Sequence, residues 1–302
     1  MRKLPVGNVI SISKFVWPSE YKQLQDAGES DGLVTFTVAP LEPDMDLGKL
    51  VKAVFIDTET TGLGPLAEVI EVAVAPFCFH RDTGALHWVG EPYVGLQEPA
   101  GDIPAETTKV HGITMDDVRG KQIDWARVRS MLSTADMVVA HNAKFDRPLV
   151  EAALRAAKQP DVETPWACSM AQVEWKTLIG SPSNALEVIC RYQGFWYAAH
   201  RAEADIGAGI HALSEEGQLS VLYGKLYDKV YEVRAMDAPY AANQAVLKPR
   251  KYGWNGDGKY WAMRFKTMDE AQEEVAFLKE NVYTPYKLPC RAKVVEMDPS
   301  RG

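Results

Sequence analysis

Two acidic side chains stand one residue apart at the end of an apolar run. They are Asp57 and Glu59, in the stretch VFIDTETTG at 54–62. Alternate residues of a strand point to the same face, so this spacing predicts two neighbouring carboxylates at the end of a buried strand. Two like charges this close repel each other. We therefore expect a positive charge to lie between them.

Three more residues that can do chemistry follow further along the chain. Asp146 opens a predicted helix shortly after the apolar run MVVAHN at 137–142. His200 precedes Asp205 by five residues, and five helical steps of about 100° turn two side chains roughly 140° apart. The two residues cannot share one helical face. The spacing therefore predicts His200 on the loop before a helix and Asp205 within the first turns of that helix.

Several carboxylates that converge on one place are typical of a site for divalent cations, whose charge makes their proximity tolerable. The four candidates are Asp57, Glu59, Asp146 and Asp205. Hard oxygen ligands favour Mg²⁺ or Mn²⁺ over zinc. Two such ions about 3.5–4 Å apart can hold both the attacking and the leaving oxygen of a phosphoryl displacement. An imidazole accepts protons near neutral pH, so we expect His200 to take the proton from the attacking water.

Strand and helix patterns alternate around these residues. Apolar runs bounded by Gly and Pro predict strands at 52–57, 67–79, 86–95 and 137–142. Apolar spacings of three to four residues predict helices at 124–135, 144–157, 168–178, 183–193 and 199–216. This order predicts an α/β protein with a mixed β-sheet flanked by helices.

The chain divides into three predicted parts. They are an N-terminal extension at 1–50 with one strand-like piece at 32–40, a main domain at 51–220, and a small C-terminal α+β module at 240–302. In the module, a Gly-rich turn between two aromatic runs predicts a β-hairpin at 251–265. Thr267 and Glu270 form a capping-box pattern that opens a predicted helix.

Aromatic and basic residues interleave in this module, as they do on surfaces that stack bases and follow a phosphate backbone. They are Tyr252, Trp254, Tyr260 and Trp261, with Lys248, Arg250, Lys251, Lys259 and Arg264 between them. A small hydrophobic core needs the same aromatic residues. The pattern therefore leaves two interpretations open, contact with a nucleic-acid strand and core packing.

Three motifs in this order resemble the histidine-bearing (DEDDh) branch of the DEDD superfamily of 3′-5′ exonucleases. The motifs are FIDTETTGL at 55–63, HNAKFD at 141–146 and HRAEAD at 200–205. The last has the branch's spacing of a histidine, four residues and an aspartate. The branch includes the proofreading subunit of bacterial replicative DNA polymerase. The resemblance covers residues 52–213, with a weaker echo in KVHGIT at 109–114, and three ordered motifs are far more specific than one.

The resemblance implies a ribonuclease-H-like fold, two divalent metal ions (Mg²⁺ or Mn²⁺) and release of nucleoside monophosphates from a 3′ end. It makes the four carboxylates metal ligands and His200 the general base. It also implies contacts with the substrate from Thr60, Thr61, Gly62, Leu63, His111, Asn142 and Phe145. Gly62 would allow close backbone approach, and Leu63 would wedge against the last base.

The composition limits the class of protein. The 302 residues carry a formal net charge of -8, which argues against a protein that coats nucleic acid through bulk positive potential. Neither a run of about 18 apolar residues nor a signal-like core occurs, so we expect a cytoplasmic protein without membrane contact. The four cysteines have no C-x-x-C spacing, which predicts free thiols rather than a zinc site.

The expected activity is 3′-5′ exonucleolytic hydrolysis of single-stranded DNA, with a polymerase or another replication protein as a candidate partner. Two alternatives stay open. One is an exoribonuclease of the same branch, because tolerance of a 2′-OH depends on pocket contacts that motifs do not reveal. The other is a non-catalytic subunit that binds nucleic acid or a polymerase, against which five intact catalytic positions speak.

Overall fold

The chain forms two compact units in a computed structural model. The first unit ends at Leu226 and the second begins at Tyr227. The structure describes residues 39–42, 45–64, 67–195, 197 and 199–297. Most of the predicted strand at 32–40 and most of the predicted extension at 1–50 lie outside the described residues.

A six-stranded mixed sheet forms the centre of the first unit. Its strands are β1 (Leu50–Thr60), β2 (Val69–His80), β3 (Leu86–Val89), β4 (Tyr93–Leu96), β5 (Met137–Ala140) and β6 (Trp166–Cys168). The order across the sheet is β3-β2-β1-β5-β6, and β4 pairs with β2 as β3 does. Because β1 runs antiparallel to β2 and parallel to β5, the sheet is mixed, as predicted.

Helices follow the four strands β1–β4 along the chain, and α4 separates β5 from β6. In the described part of the first unit they are α1 (Ala105–His111), α2 (Met115–Val118), α3 (Trp125–Thr134), α4 (Ala143–Ala156), α5 (Ser169–Gln172), α6 (Trp175–Ile179), α7 (Leu186–Tyr192), α8 (Ala202–Ser214) and α9 (Gln218–Lys225). None of the helices described for this chain combines the length and the apolar character that crossing a bilayer needs. The mixed sheet with helices around it confirms the predicted α/β class.

The sheet buries a separate hydrophobic core on each face. Residues of β1 alternate between the two cores: Ala53 and Phe55 pack in the core formed with α7, α8 and α9. Val54 and Ile56 pack in the core formed with α3 and α4. Because side chains alternate along a strand, Asp57 then points to the α8 side of the sheet and its neighbours on either side point to the α4 side.

Two predicted elements differ from the observed ones. The predicted strand at 86–95 is two strands, β3 and β4, and the ladder is interrupted at 90–92, where Pro92 has no N–H to donate. The predicted helix at 168–178 is two short helices, α5 and α6. The break falls at Val173, whose backbone is extended and whose side chain packs in the core on the α8 face.

The second unit contains a four-stranded antiparallel sheet that packs against a helix. Its strands are β7 (Val230–Met236), β8 (Gly253–Asn255), β9 (Tyr260–Phe265) and β10 (Ala292–Met297), in the order β10-β7-β9-β8. Its helices are α10 (Tyr240–Ala242) and α11 (Met268–Leu278), each followed by a π-helical turn. The hairpin of β8 and β9 confirms the predicted one. The capping box is also confirmed, because Thr267 and Glu270 each accept a hydrogen bond from the other's backbone N–H.

Most of the aromatic cluster of the module belongs to the core of the second unit. Tyr252 and Tyr260 are buried, and Trp261 packs against the core. Trp254 is 55% exposed, and its ring centroid lies 5.5 Å from that of Trp261. Core packing therefore explains three of the four aromatic residues, and Trp254 is the member of the four that a ligand can reach.

Candidate active site

Two elements that are distant in sequence bring three carboxylates together. Asp57 and Glu59 lie at the end of β1, and Asp205 lies in the first turn of α8. One carboxylate oxygen from each of the three lies within 4.8 Å of the other two. The structure thus gathers three of the four predicted metal ligands into one group.

The close approach of α8 to β1 depends on a glycine. Gly209 of α8 lies against Phe55 of β1, and a Cβ atom at this position would collide with the Phe55 ring. Phe55 is fully buried, so its ring has little room to retreat. A glycine here lets α8 lie near enough to β1 for Asp205 to reach the carboxylates at the strand end.

Burial and mutual repulsion favour the protonated forms of these carboxylates. Burial raises the pKa of Glu59 to about 8, and the negative charge of Asp205 adds to the effect. Burial also raises the pKa of Asp57 well above its ordinary value, and the charges of Asp146 and Asp205 raise it further. Burial raises the pKa of Asp205 to about 6, against the opposing effect of a hydrogen bond from Tyr197. A bound cation relieves such a group of buried acids.

The fourth predicted ligand, Asp146, is held on the α4 side of β1. It is buried in the first turn of α4, and its Oδ1 accepts a 2.7 Å hydrogen bond from Thr58 Oγ1. Burial raises its pKa to about 7, although the Thr58 hydrogen bond opposes this. Asp146 is close enough to Asp57 to raise the pKa of that carboxyl, but it is not part of the three-carboxylate group. The strand alternation explains this, because Thr58 and Asp57 point to opposite faces of the sheet.

Both oxygens of Asp205 accept hydrogen bonds from the segment just before or at the start of α8. Oδ2 accepts from the backbone N–H groups of His200 (2.8 Å) and Arg201 (3.0 Å), and Oδ1 accepts from the Tyr197 hydroxyl at 2.7 Å. These bonds fix the orientation of the carboxylate. Nothing in the sequence singles out Tyr197, because a tyrosine among aromatic neighbours is equally what core packing requires.

His200 lies on the loop before α8, as its spacing predicts, and its side chain is exposed. Its backbone has φ = 72°, a left-handed conformation that is uncommon for residues other than glycine. The hydrogen bond from its N–H to Asp205 helps to hold this conformation. The His200 imidazole is open to solvent, and its electrostatic effect lowers the pKa of Asp205.

The turn after β1 contains the residues predicted to contact a terminal nucleotide. Thr60 Oγ1 donates to the Gly62 carbonyl at 2.7 Å, and Thr61 exchanges two hydrogen bonds with the backbone of Glu68. The two threonines thus shape the turn. A Cβ atom at Gly62 would meet nothing within 4 Å, and Leu63 is 91% exposed. Gly62 and Leu63 are therefore open to a ligand.

Two further histidines have structural roles. His111 is buried at the end of α1, and its Nδ1 accepts a 3.0 Å hydrogen bond from the Ile113 N–H. Its Nε2 is buried without a hydrogen-bond partner among the described residues, and burial lowers its pKa. The nitrogens of His141 lie 2.8 Å from Ser169 Oγ and from the Asn184 carbonyl, and burial lowers its pKa to about 4. His111 orders a turn, and His141 joins neighbouring segments.

Asn142 and Phe145 lie at the start of α4. The Asn142 carbonyl accepts hydrogen bonds from the N–H groups of Phe145 (2.8 Å) and Asp146 (3.1 Å), so Asn142 begins the helix. The half-buried Phe145 ring lines a groove of about 490 Å³ together with Lys144 and Leu149. This groove runs between α4 and the start of β2, beside the turn that carries Leu63.

The donor set of the three-carboxylate group fits a hard divalent cation. Asp57, Glu59 and Asp205 offer carboxylate oxygen, and neither a histidine nor a cysteine belongs to the group found among the described residues. Oxygen-only donors suit Mg²⁺ or Mn²⁺ better than zinc. These three residues can therefore hold a metal ion.

A comparison with protein families decides the assignment. Residues 54–213, more than half of the chain, match the exonuclease family RNase_T. The chain belongs to this family. The match begins within β1 and ends within α8, so this exonuclease domain contains every residue predicted to be catalytic. The assignment to the DEDD exonucleases, a family of nucleases, is confirmed, and the histidine-bearing branch stays a prediction.

Two curated relatives share part of the exonuclease sequence. An uncharacterized exonuclease, CP81, of Escherichia phage 186 is 32% identical over 100 residues, which are 32% of this chain and 46% of the relative. A DNA polymerase III subunit epsilon-like protein of Rhodobacter capsulatus is 36% identical over 104 residues, which are 33% of this chain and 14% of the relative. The chain thus spans less than half the length of either relative.

Solved structures of exonuclease I share the fold. The zinc-bound complex of Escherichia coli exonuclease I with single-stranded DNA is 15% identical with a TM-score of 0.52, over 83% of this chain and 64% of that one. Another exonuclease I structure is 16% identical with a TM-score of 0.51, over 76% of this chain and 71% of that one. At these identities the likeness shows the fold alone, and it confirms the predicted ribonuclease-H-like architecture.

Proposed function

We propose that this exonuclease is metal-dependent and releases nucleoside monophosphates from the 3′ end of single-stranded DNA by two-metal-ion hydrolysis. The domain at 51–220 carries the reaction. Its catalytic residues are Asp57, Glu59, Asp146, His200 and Asp205. The role of His200 makes the enzyme a member of the histidine-bearing branch.

The observation that carries the proposal is the approach of three carboxylate oxygens from β1 and α8 to within 4.8 Å of one another. Burial raises the pKa values of all three groups, and the negative charge of Asp205 adds to the shifts of Asp57 and Glu59. Ionised carboxylates in this arrangement destabilise the fold unless a cation binds. Strongly shifted pKa values of this kind cluster at functional sites.

The ligands divide between two ions. Asp57, Glu59 and Asp205 would hold one Mg²⁺ or Mn²⁺ ion, and Asp57 with Asp146 would hold the second. The bound ions supply Lewis-acid polarisation of the phosphoryl oxygens and offset the negative charge of the transition state. Thr58 orients Asp146, and Tyr197 orients Asp205, each through a 2.7 Å hydrogen bond from its hydroxyl group.

His200 is the proposed general base. Its imidazole is exposed on the loop whose backbone N–H bonds Asp205, and it is able to accept a proton from the water that attacks the terminal phosphodiester. His141 does not compete for this role, because both of its ring nitrogens already face partners and burial lowers its pKa to about 4. The nucleophile is thus activated from the loop before α8.

The strand end is bound beside the turn after β1. Leu63 is exposed for contact with the terminal base, and Phe145 with its groove would receive the strand. One curated relative is a DNA polymerase III epsilon-like protein, and exonuclease I, whose fold this chain shares, binds single-stranded DNA in its crystal structure. These likenesses support DNA as the substrate and a replicative polymerase as a candidate partner.

The module at 240–302 contributes a second contact with the strand, upstream of the 3′ end. Its candidate residue is Trp254, whose exposed indole lies on the hairpin that also carries the exposed Lys251 and Lys259. An aromatic ring next to cations is the combination that binds single strands without sequence preference. This contact would raise processivity.

The decisive experiment follows the products from single-stranded DNA that is labelled at either end, with Mg²⁺ and with EDTA. A 3′-5′ enzyme releases labelled mononucleotide at once from the 3′-labelled strand and shortens the 5′-labelled strand stepwise. Asp57→Ala should abolish cleavage, whereas Asp161→Ala, at an exposed acid outside the site, should not.

The alternatives give different products in the same assay. Faster cleavage of a matched RNA strand would identify an exoribonuclease. Early release of the 5′ label would refute the direction. Absence of metal-dependent cleavage in a correctly folded protein, together with retained binding of the strand, would identify a non-catalytic subunit.

A further inference from the structure

A fifth acid stands beside the candidate active site and lies outside the predicted motifs. Glu71 of β2 is fully buried and pairs in register with Glu59 across the antiparallel β1–β2 ladder. Residues opposite each other in such a ladder point to the same face, so Glu71 faces α8 as Glu59 does. A buried carboxylate at this place requires its own partners.

Glu71 accepts three hydrogen bonds, and all of them come from the start of α8. The Arg201 guanidinium donates from Nη2 to Oε1 at 2.6 Å and from Nε to Oε2 at 3.1 Å. The backbone N–H of Ala202 donates to Oε2 at 3.0 Å. The pair is bidentate, a geometry that fixes direction as well as distance.

These bonds fix the residue that follows the proposed base. Arg201 is the next residue after His200, and Ala202 is the first residue of α8. Asp205 holds the same segment as well, because it accepts from the N–H groups of His200 and Arg201. His200, in its left-handed conformation, therefore lies at the start of a segment that two carboxylates hold.

A contribution to stability does not by itself explain such a pair. Glu71 is buried but the Arg201 side chain is 53% exposed, and an ion pair that water reaches contributes little to stability. Glu71 is also a negative charge next to Glu59, which raises the pKa of that metal-ligand candidate, while Arg201 lowers it. Glu71 is therefore an acid at a place where a negative charge is electrostatically unfavourable. All three of its hydrogen bonds come from the two residues that follow His200.

We propose that Glu71 and Arg201 are positioning residues: their bidentate ion pair holds the loop before α8 so that the His200 imidazole reaches the attacking water. The inference rests on the proposed function for its kinetic consequence. The anchoring of the loop is a property of the metal-free protein as well, and it is tested separately.

The test compares Glu71→Gln with Glu274→Gln. Glu274 of the second unit forms a similar pair: it is buried, it binds Arg250 at 2.6 and 3.1 Å, and it accepts a third hydrogen bond from the Tyr252 hydroxyl. Both changes remove one buried carboxylate from a bidentate pair. Glu71→Gln should lower kcat about 10- to 100-fold with KM nearly unchanged, as loss of a supporting residue does. Glu274→Gln should leave both constants unchanged.

Two further variants keep the test valid if Glu71→Gln folds poorly. Arg201→Lys leaves Glu71 with a counter-ion but cannot form the bidentate pair, so it should also lower kcat about 10-fold or more. In the His200→Ala background, Glu71→Gln should lower kcat no further, because a residue that acts through His200 has nothing left to position.

Hydrogen exchange of the metal-free protein tests the anchor without activity. The backbone amides of residues 200–202 should exchange faster in Glu71→Gln and at the wild-type rate in Glu274→Gln. Unchanged exchange would overturn the anchor. Equal losses of kcat in Glu71→Gln and Glu274→Gln, full additivity with His200→Ala, or a raised KM at constant kcat would overturn the positioning role. An inactive wild type with faster exchange in Glu71→Gln would instead refute the proposed function alone.

Discussion

The Tyr197 hydroxyl donates a 2.7 Å hydrogen bond to Oδ1 of Asp205. Tyr197 is buried, so this bond is shielded from water and holds a candidate metal ligand in one orientation. Tyr197→Phe should lower kcat about 10- to 100-fold and raise the Mg²⁺ concentration needed for half-maximal rate. Tyr283→Phe is the matched control, because it removes a buried 2.6 Å hydrogen bond, from Tyr283 to Met236, in the second unit. A Tyr197→Phe enzyme with the wild-type Mg²⁺ requirement would contradict this role.

The stability of the metal-free protein should fall as the pH rises across the range in which the site titrates. Burial raises the pKa of Asp205 to about 6, of Asp146 to about 7 and of Glu59 to about 8. The ordinary values lie near ~4, so the folded protein binds more protons than the unfolded chain between about pH 4 and 8. The contribution of these groups to the free energy of unfolding is complete below about pH 4. It is lost as the pH rises through their pKa values in the folded protein.

A bound metal ion should restore the stability that the metal-free protein loses at high pH. Thermal unfolding at pH 6 and pH 8, with EDTA or with Mn²⁺, measures this. Mn²⁺ should raise Tm more at pH 8 than at pH 6, and Asp57→Asn should reduce that difference. Equal Mn²⁺ shifts at both pH values, or an unchanged response of Asp57→Asn, would count against a cation at this site.

His200→Ala should lower kcat about 10²- to 10⁴-fold, the usual contribution of a general base. The acidic limb of the pH–rate profile should change as well, because the proposed general base is absent. His80→Ala is the control, since His80 lies at the far end of β2, opposite Leu50 in the ladder. A wild-type profile in His200→Ala would move the base to another residue.

Gly209→Ala should destabilise the protein by about 1–3 kcal/mol, the usual cost of overpacking a filled core. Its new methyl group would collide with the buried Phe55 ring and push α8, with Asp205, away from β1. Gly224→Ala in α9 has open space around its Cβ and should be neutral or stabilising by up to about 1 kcal/mol. Urea unfolding measures the stability of both variants, and the rate of DNA hydrolysis measures their activity. Together they test whether stability and activity fall together in Gly209→Ala.

Trp254→Ala should weaken binding to long single strands while sparing cleavage of short ones. Loss of one stacked base costs about 1–3 kcal/mol, so the Kd for a long strand should rise about 5- to 150-fold. Tyr240→Ala is the control, because Tyr240 is another exposed aromatic residue of the second unit. Equal losses on long and short strands would contradict an upstream contact.

The strand and helix periods of the sequence by themselves determine much of the candidate site. The two-residue period of a strand places Asp57 and Glu59 side by side, because successive side chains of a strand must alternate. The helical period separates His200 from Asp205, and the structure has one on a loop and the other in the first turn of α8. The hairpin and the capping box of the module follow from turn chemistry within a few residues. These features depend on neighbours in the chain.

Only the tertiary structure decided which side chains complete the site. Thr58 bonds Asp146 across 88 residues of sequence, and Arg201 bonds Glu71 across 130. Local pattern carries no information about such partners, because they meet only after the sheet has closed and α8 has packed on it. The same applies to the aromatic residues of the module, whose composition fits a core and a binding surface equally well. Burial, which is a property of the folded molecule, left Trp254 open and enclosed Tyr252 and Tyr260.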